Sequence, residues 1–162
     1  MSSACFRSLL LDETVTRMAL LAACEHLQTA TEWSDMFKDT KAFSSFSVDD
    51  LQEAKQFYGQ TLGLDVDETP EGVVLHIAGG SYVFIYPSDS YTAPKHTVLN
   101  FPVGDIEEAV DELAKRGVRM EHYDTPGIKT DEKGIFRGDS GPRAIAWFKD
   151  PAGHVLSVLQ ET

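Results

Sequence analysis

Few side chains in this sequence have the type and spacing needed to carry out a reaction. Histidine is the readiest, because a neutral imidazole near pH 7 can exchange a proton or ligate a metal. His96 stands just ahead of a strand-like run and His76 falls inside another, whereas His122 beside Glu121 and His154 in a turn read as surface residues. A metal centre built from His96, His76 and a carboxylate would match no recognised ligand spacing. The positions that would line a pocket lack paired carboxylates, a nucleophile-and-base pair and a phosphate-cradling glycine loop, the groupings that mark a reaction class. Gly79-Gly80 before a strand reads as a turn. Arg137, in a long glycine-containing connection, could meet an anionic substrate but reads first as a solvated arginine.

These residues must be positioned by a fold, and a repeated motif says which. Ser47-Val48-Asp49-Asp50-Leu51-Gln52-Glu53-Ala54 is echoed by Pro102-Val103-Gly104-Asp105-Ile106-Glu107-Glu108-Ala109. In each copy a strand-like run enters a helix whose Asp can cap the first turn while the Glu three residues on reaches back. The helices then end near Gly63 and Gly117. The first unit reads as a strand over 43–48, a helix over 50–62 burying Leu51, Ala54, Tyr58 and Leu62, and strands over 64–68, 72–77 and 82–86. The second reads as a strand over 97–103, a helix over 105–116, and strands over 118–123, 144–148 and 155–159. The fold class is α+β: two βαβββ units, 41–87 and 96–162, forming a cup-shaped mixed sheet with helices outside. Between Pro126 and Pro142 runs a connection with no clear pattern, which reads as a lid over the cup or as plain disorder.

The chain of 162 residues is long enough for one domain or for two half-domains sharing a core. Residues 1–40 lie outside the repeat, and a modest helical stripe (Val15, Met18, Ala22) predicts a peripheral helical extension. That segment could be a docking helix, an interface arm, or an upstream stretch before a start at Met36. The net charge of −12 argues against nucleic acid or a membrane surface as partner and is compatible with a cationic small molecule. Cys5 and Cys24 cannot staple a domain of this size, so a reduced, cytoplasmic chain is expected. No apolar run reaches the ~20 residues of a membrane span. Leu21-Ala22-Ala23-Cys24 looks like a lipoprotein cleavage box, but Asp12, Glu13 and Arg17 break the apolar stretch it requires.

With the repeat, the Phe57-Tyr58 helix ending in Leu62-Gly63-Leu64, and Phe148-Lys149-Asp150-Pro151-Ala152-Gly153-His154 before the last strand, residues 41–162 resemble the vicinal-oxygen-chelate superfamily. That superfamily includes glyoxalase I, bleomycin-resistance and fosfomycin-resistance proteins and extradiol dioxygenases. In its metalloenzymes, the resemblance implies, His and Glu from the first and last strands of each unit hold a divalent ion at the centre of the cup. Those positions fall here at Phe43, about Val83, Val98 and Ser157, none a good ligand. The resemblance thus implies a member that has lost the metal or never used one, with no cofactor.

Taking the family's ligand positions as the reference side, strand alternation lines the cup with Phe43, Ser45 and Ser47, with His96, Val98, Asn100 and Pro102, and with Val155, Ser157 and Leu159. Val83 and Ile85 complete it, or Phe84 and Tyr86 if the register slips by one. Trp147 and Phe148 read as core before stacking platform. The expected ligand-binding residues are Phe43, Ser45, Val83, His96, Val98, Asn100 and Ser157, an apolar and aromatic set with a few neutral polar groups. Glu68, Asp89 and Glu121 would flank the cup and favour a cationic ligand. The leading expectation is a metal-free small-molecule binder of the bleomycin-resistance type. An enzyme (lyase, isomerase or dioxygenase) with relocated metal ligands or metal-independent chemistry around His96 stays open, as does a regulatory or interaction domain. The resemblance also implies a homodimer, with Pro87–Lys95 as the hinge if units are exchanged.

Overall fold

The computed structural model describes residues 37–138 and 141–161. The expected N-terminal helix, both cysteines and the lipoprotein-like box lie outside the described residues. The chain divides into a unit ending at Ala42 and a second beginning at Phe43. In the first, the described residues form a turn in which Thr40 N and Oγ1 donate to the Phe37 carbonyl.

The second unit contains the repeat. Strand β1 (Ser44–Val48) leads into helix α1 (Leu51–Gln56), then β2 (Asp65–Thr69), β3 (Gly72–Ile77) and β4 (Ser81–Pro87). Their sheet order is β1-β4-β3-β2, with β1 parallel to β4 and the other pairs antiparallel. After the linker come β5 (Thr97–Pro102), helix α2 (Ile106–Lys115), the short β6 (Asp124–Thr125), β7 (Ile128–Lys129) and β8 (Ile135–Phe136), then β9 (Ala144–Lys149) and β10 (Val155–Gln160). The second sheet runs β5-β10-β9-β8, the same pattern as the first.

Both helices start as their sequences predict. Asp50 accepts hydrogen bonds from the backbone of Gln52 and Glu53, and Asp105 accepts from Glu107 and Glu108, so each cap satisfies two donors the helix cannot. The reciprocal half of the first capping box is absent: the Asp50 N–H donates to the Asp49 carboxylate, not to Glu53. The first helix also changes form. From Phe57 to Thr61 it widens into a π-type turn, closed by Leu62 N donating to the Phe57 carbonyl at 2.9 Å. The hairpin between β3 and β4 turns through Gly79 and Gly80, at φ 88° and 81°, a left-handed pair that glycine adopts without steric cost.

Apolar residues on one face of each sheet pack under its helix. In the first sheet these are Val48, Val73, Leu75, Val83 and Ile85, covered by Ala54 and Tyr58; in the second, Ala146, Phe148, Leu156 and Val158 with Ile106 and Val110. All belong to one contiguous core.

Two expectations for the second half are corrected. Residues 118–123 make no strand; their pairing is a single bridge from Met120 to Phe148, with Glu121 N donating to the Trp147 carbonyl. The edge of that sheet is taken by Ile135–Phe136, from within the connection expected to be a lid or disordered. Ile135 is an apolar side chain that gains by burial against β9, which explains why it captures the edge. Other described residues of the connection are held as well: β6 and β7 form a hairpin, Lys133 pairs with Asp111 and Glu107, and Arg137 pairs with Glu107 and Asp131. Gly134 sits at φ 81° with its α-carbon turned toward Met120, a place where a side chain does not fit.

Candidate functional site

The two halves are joined on the helical side by a buried polar cluster. The Asp150 carboxylate accepts from the Tyr58 hydroxyl, from His154 N and from His154 Nδ1, each at 2.8 Å. A carboxylate only accepts, so Nδ1 carries the imidazole proton. The ring of His154 packs 4.5 Å from that of Phe46 and 5.2 Å from that of Tyr91, whose hydroxyl donates to the Ala152 carbonyl at 2.8 Å. Thus β1, the widened turn after α1, the linker and the β9–β10 turn all meet around the Asp150–His154 pair. Burial, then the Asp150 charge, push the Tyr58 phenol well above its ordinary range; burial and the charges of Asp150 and Asp49 push Tyr91 up to about 12. His154, expected at the surface, is 1% exposed and belongs to this cluster.

Opposite the helices, each sheet has a face that the core leaves uncovered. In the second sheet, register puts Leu99, Phe101, Phe148, Leu156 and Val158 on the helical side, so Asn100, Trp147, Ser157 and Leu159 take the open side. Val98, unpaired where the register shifts between Thr97 and Leu99, packs against the core. Ser157 lies in a row between Asn100 on β5 and Trp147 on β9. It is fully buried, and its hydroxyl donates to Asn100 Oδ1 at 2.6 Å. The half-buried Trp147 ring meets Tyr123 edge-on at 5.4 Å and Phe136 at 6.4 Å.

In the first sheet the open side carries Ser45, Val74, His76, Tyr82, Phe84 and Tyr86. Phe43, 52% exposed, stacks on Tyr82 at 4.5 Å, and Phe84 stacks against Tyr86 at 6.1 Å. His76 Nε2 lies 2.9 Å from Asp67 Oδ2, both side chains well exposed.

The residues expected at the site thus divide. Ser45, Asn100 and Ser157 lie on open faces, and Phe43 joins the first face through Tyr82. Val98, at the break in the β5 register, packs against the core instead. Val83 does not: it is core, paired with Leu75 under α1, and the alternative register with Phe84 and Tyr86 outward is the one present. His96 is exposed just before β5, apart from His76, which has its own carboxylate partner. Trp147 is corrected from core to open face, while Phe148 is core. Adjacent strand residues must face opposite ways, so the two could never both have been core of one sheet face. Glu68 and Glu121 are each paired with a lysine, Lys55 and Lys149. Arg137 is likewise committed to Glu107 and Asp131.

A divalent ion does not suit the residues at the positions implied for ligands. Phe43 and Val98 have no donor atom, Val83 is in the core, and the Ser157 hydroxyl is committed to Asn100. Among the described residues no three His, Cys, Asp or Glu side chains are grouped so as to hold a metal ion. A cleft of about 240 Å³ on the helical side, lined by Leu62, Leu64, Phe101, Leu113 and Phe148, is a seam between the halves. The guanidinium at its rim, Arg116, is already bound to Glu112 and to the Thr61 carbonyl. Among the described residues no helix is long and apolar enough to cross a membrane.

Comparison with solved structures shows the same fold. FosX, the genomically encoded fosfomycin resistance protein of Listeria monocytogenes, superposes with a TM-score of 0.57 at 16% identity, covering 76% of this chain and 94% of that one. A glyoxalase family protein from Enterococcus faecalis gives 0.54 at 23% identity, covering 76% and 98%. TnmS3, an antibiotic binding protein from a Streptomyces species, gives 0.52 at 22% identity, with the same coverage of 76% and 98%. No curated protein matches the sequence. Residues 42–158 match the Glyoxalase/Bleomycin resistance protein/Dioxygenase superfamily, and the chain belongs to that family.

Proposed function

We propose that this protein binds a small, largely planar organic molecule against the open faces of its sheets, with no metal in the site. The observation that carries the reading is the aromatic surface left half-exposed there: Trp147 with Tyr123 and Phe136 on one sheet, and Phe43, Tyr82, Phe84 and Tyr86 on the other. Core side chains bury themselves, and aromatic rings held in mutual contact yet open to solvent are suited to a further ring. The fold comparisons support this scale of ligand, since one relative is an antibiotic binding protein and another a fosfomycin resistance protein.

The functional form is a homodimer in the cytoplasm. The contacts that join the halves within one chain, Tyr58 to Asp150, Phe46 to His154 and Arg116 to Thr61, come from the helical side and the β9–β10 turn. A second copy can therefore supply a surface opposite each open face. The deciding experiment is calorimetric titration of the full chain with a panel of polycyclic aromatic compounds. Binding in the micromolar range, weakened about tenfold or more by Trp147→Ala, is expected from loss of a ring's contact area. A panel in which nothing binds more tightly than about 1 mM would refute the reading.

One observation favours an enzyme instead. His76 Nε2, held by Asp67 on an open face, leaves the other ring nitrogen for proton transfer. Turnover abolished by His76→Ala with ligand affinity intact would establish that reading; turnover that survives His76→Ala but not His96→Ala would move the chemistry to the second histidine.

A further inference from the structure

We infer that Asn100 is a specificity-determining residue that reads a carbonyl-type hydrogen-bond acceptor on the edge of a planar, uncharged ligand, and that Ser157 is the positioning residue that aims it. This rests on the ligand-binding reading above and goes on to the chemistry of the ligand.

Ser157 is fully buried, and Asn100 Oδ1, at 2.6 Å, is the one acceptor among the described residues for its O–H. Turning the Asn100 amide over would set an N–H against Ser157 Oγ and leave the hydroxyl proton without an acceptor. An unsatisfied buried donor costs roughly 1–3 kcal/mol, so the amide is fixed with its oxygen toward Ser157. The Nδ2 group is then turned away from Ser157. Asn100 is exposed on the open side of β5, and among the described residues no group accepts from its two N–H bonds.

Across the same row stands Trp147, two strands from Asn100 with Ser157 between them. Two strand spacings amount to about 10 Å, a span that a molecule of two or three fused rings bridges. Such a molecule packs against the indole and presents its edge to the amide. The row itself offers donors and no carboxylate, and the nearby Glu121 is paired with Lys149 at 2.7 Å. A cationic ring finds no carboxylate in this row, whereas a ketone or quinone oxygen finds two N–H donors.

A matched pair of probes isolates this contact: xanthone and xanthene share a tricyclic skeleton and differ by the ring carbonyl. Each is titrated calorimetrically into the full chain, into Asn100→Asp and into Ser157→Ala, with melting temperature measured for every variant. One neutral hydrogen bond predicts that xanthone binds about three- to tenfold tighter than xanthene. Asn100→Asp keeps an acceptor for the Ser157 hydroxyl and so retains the fold, but it sets a carboxylate against the carbonyl and abolishes the preference. Ser157→Ala leaves Asn100 in place yet frees the amide to rotate, and the preference shrinks with little change in xanthene binding. Equal affinity for both probes in the native protein overturns the inference and leaves aromatic binding standing. Absence of binding by both probes and by the wider aromatic panel removes the proposed function, and this inference with it.

Discussion

Replacing Tyr58 by Phe tests whether the buried carboxylate of Asp150 holds the two halves together. The substitution deletes one hydroxyl and keeps the ring, which sits at zero exposure and packs against Phe46 at 6.2 Å and Phe57 at 5.3 Å. What is lost is a 2.8 Å hydrogen bond to a charged acceptor. Hydrogen bonds to charged groups contribute about 1.5–3 kcal/mol, and Asp150 keeps its two bonds from His154, so the expected loss is about 2 kcal/mol. For a unit of this size that corresponds to a fall of about 6–10 °C in melting temperature. Asp150→Ala costs more, about 3–5 kcal/mol, because it strands the Tyr58 hydroxyl and two His154 donors together. Urea unfolding followed by circular dichroism reads the effect as a lower midpoint at unchanged slope. Combining Tyr58→Phe with Asp150→Asn gives the coupling between the two side chains, which must be well above the few tenths of a kcal/mol seen for independent sites. A Tyr58→Phe protein within about 0.5 kcal/mol of the native one would show that the cluster is an incidental contact and refute the argument.

The same tyrosine sets a dependence on alkaline pH. Its folded-state pKa lies above the value near 10 of the unfolded chain, so its contribution is complete below pH 10 and is lost above it. Each pH unit above 10 then shifts the folding constant by up to about tenfold against the folded state, with Tyr91 adding in the same direction up to about 12. Melts at pH 9, 10 and 11 are expected to show a steeper decline for the native chain than for Tyr58→Phe; parallel declines would contradict the assigned burial. Gly134→Ala is expected to destabilise by about 2 kcal/mol or more, because the residue is at φ 81° and a Cβ there would stand 2.7 Å from Met120 Cβ. If thermal melts of that variant match the native chain, the β8 edge is not seated as described.

Much of the fold was legible because it is local and repeated. Asp50 and Asp105 cap their helices for reasons contained in four residues, and Gly79-Gly80 turns a hairpin with no help from the rest of the chain. Alternation along β1 and β5 carries Ser45 and Asn100 to the open faces and sets Trp147 opposite Phe148, whereas a break in the β5 register turns Val98 to the core. The edge of the second sheet was not legible. Val118 and Met120 alternate with Arg119 and Glu121 as in a strand, and only competition for β9 decides that Ile135–Phe136 pairs there instead. Nor was His154, since Asp-Pro-Ala-Gly-His reads as a polar surface turn until Tyr58, 92 positions from Asp150, arrives to bury it. Caps, turns, the two-fold repeat and most of the sidedness of the long strands follow from backbone sterics and period alone. Tertiary structure alone decided which carboxylates are spent on lysines, which hydroxyl fixes an amide and which histidine is buried, because those outcomes depend on groups that meet only after the chain has folded.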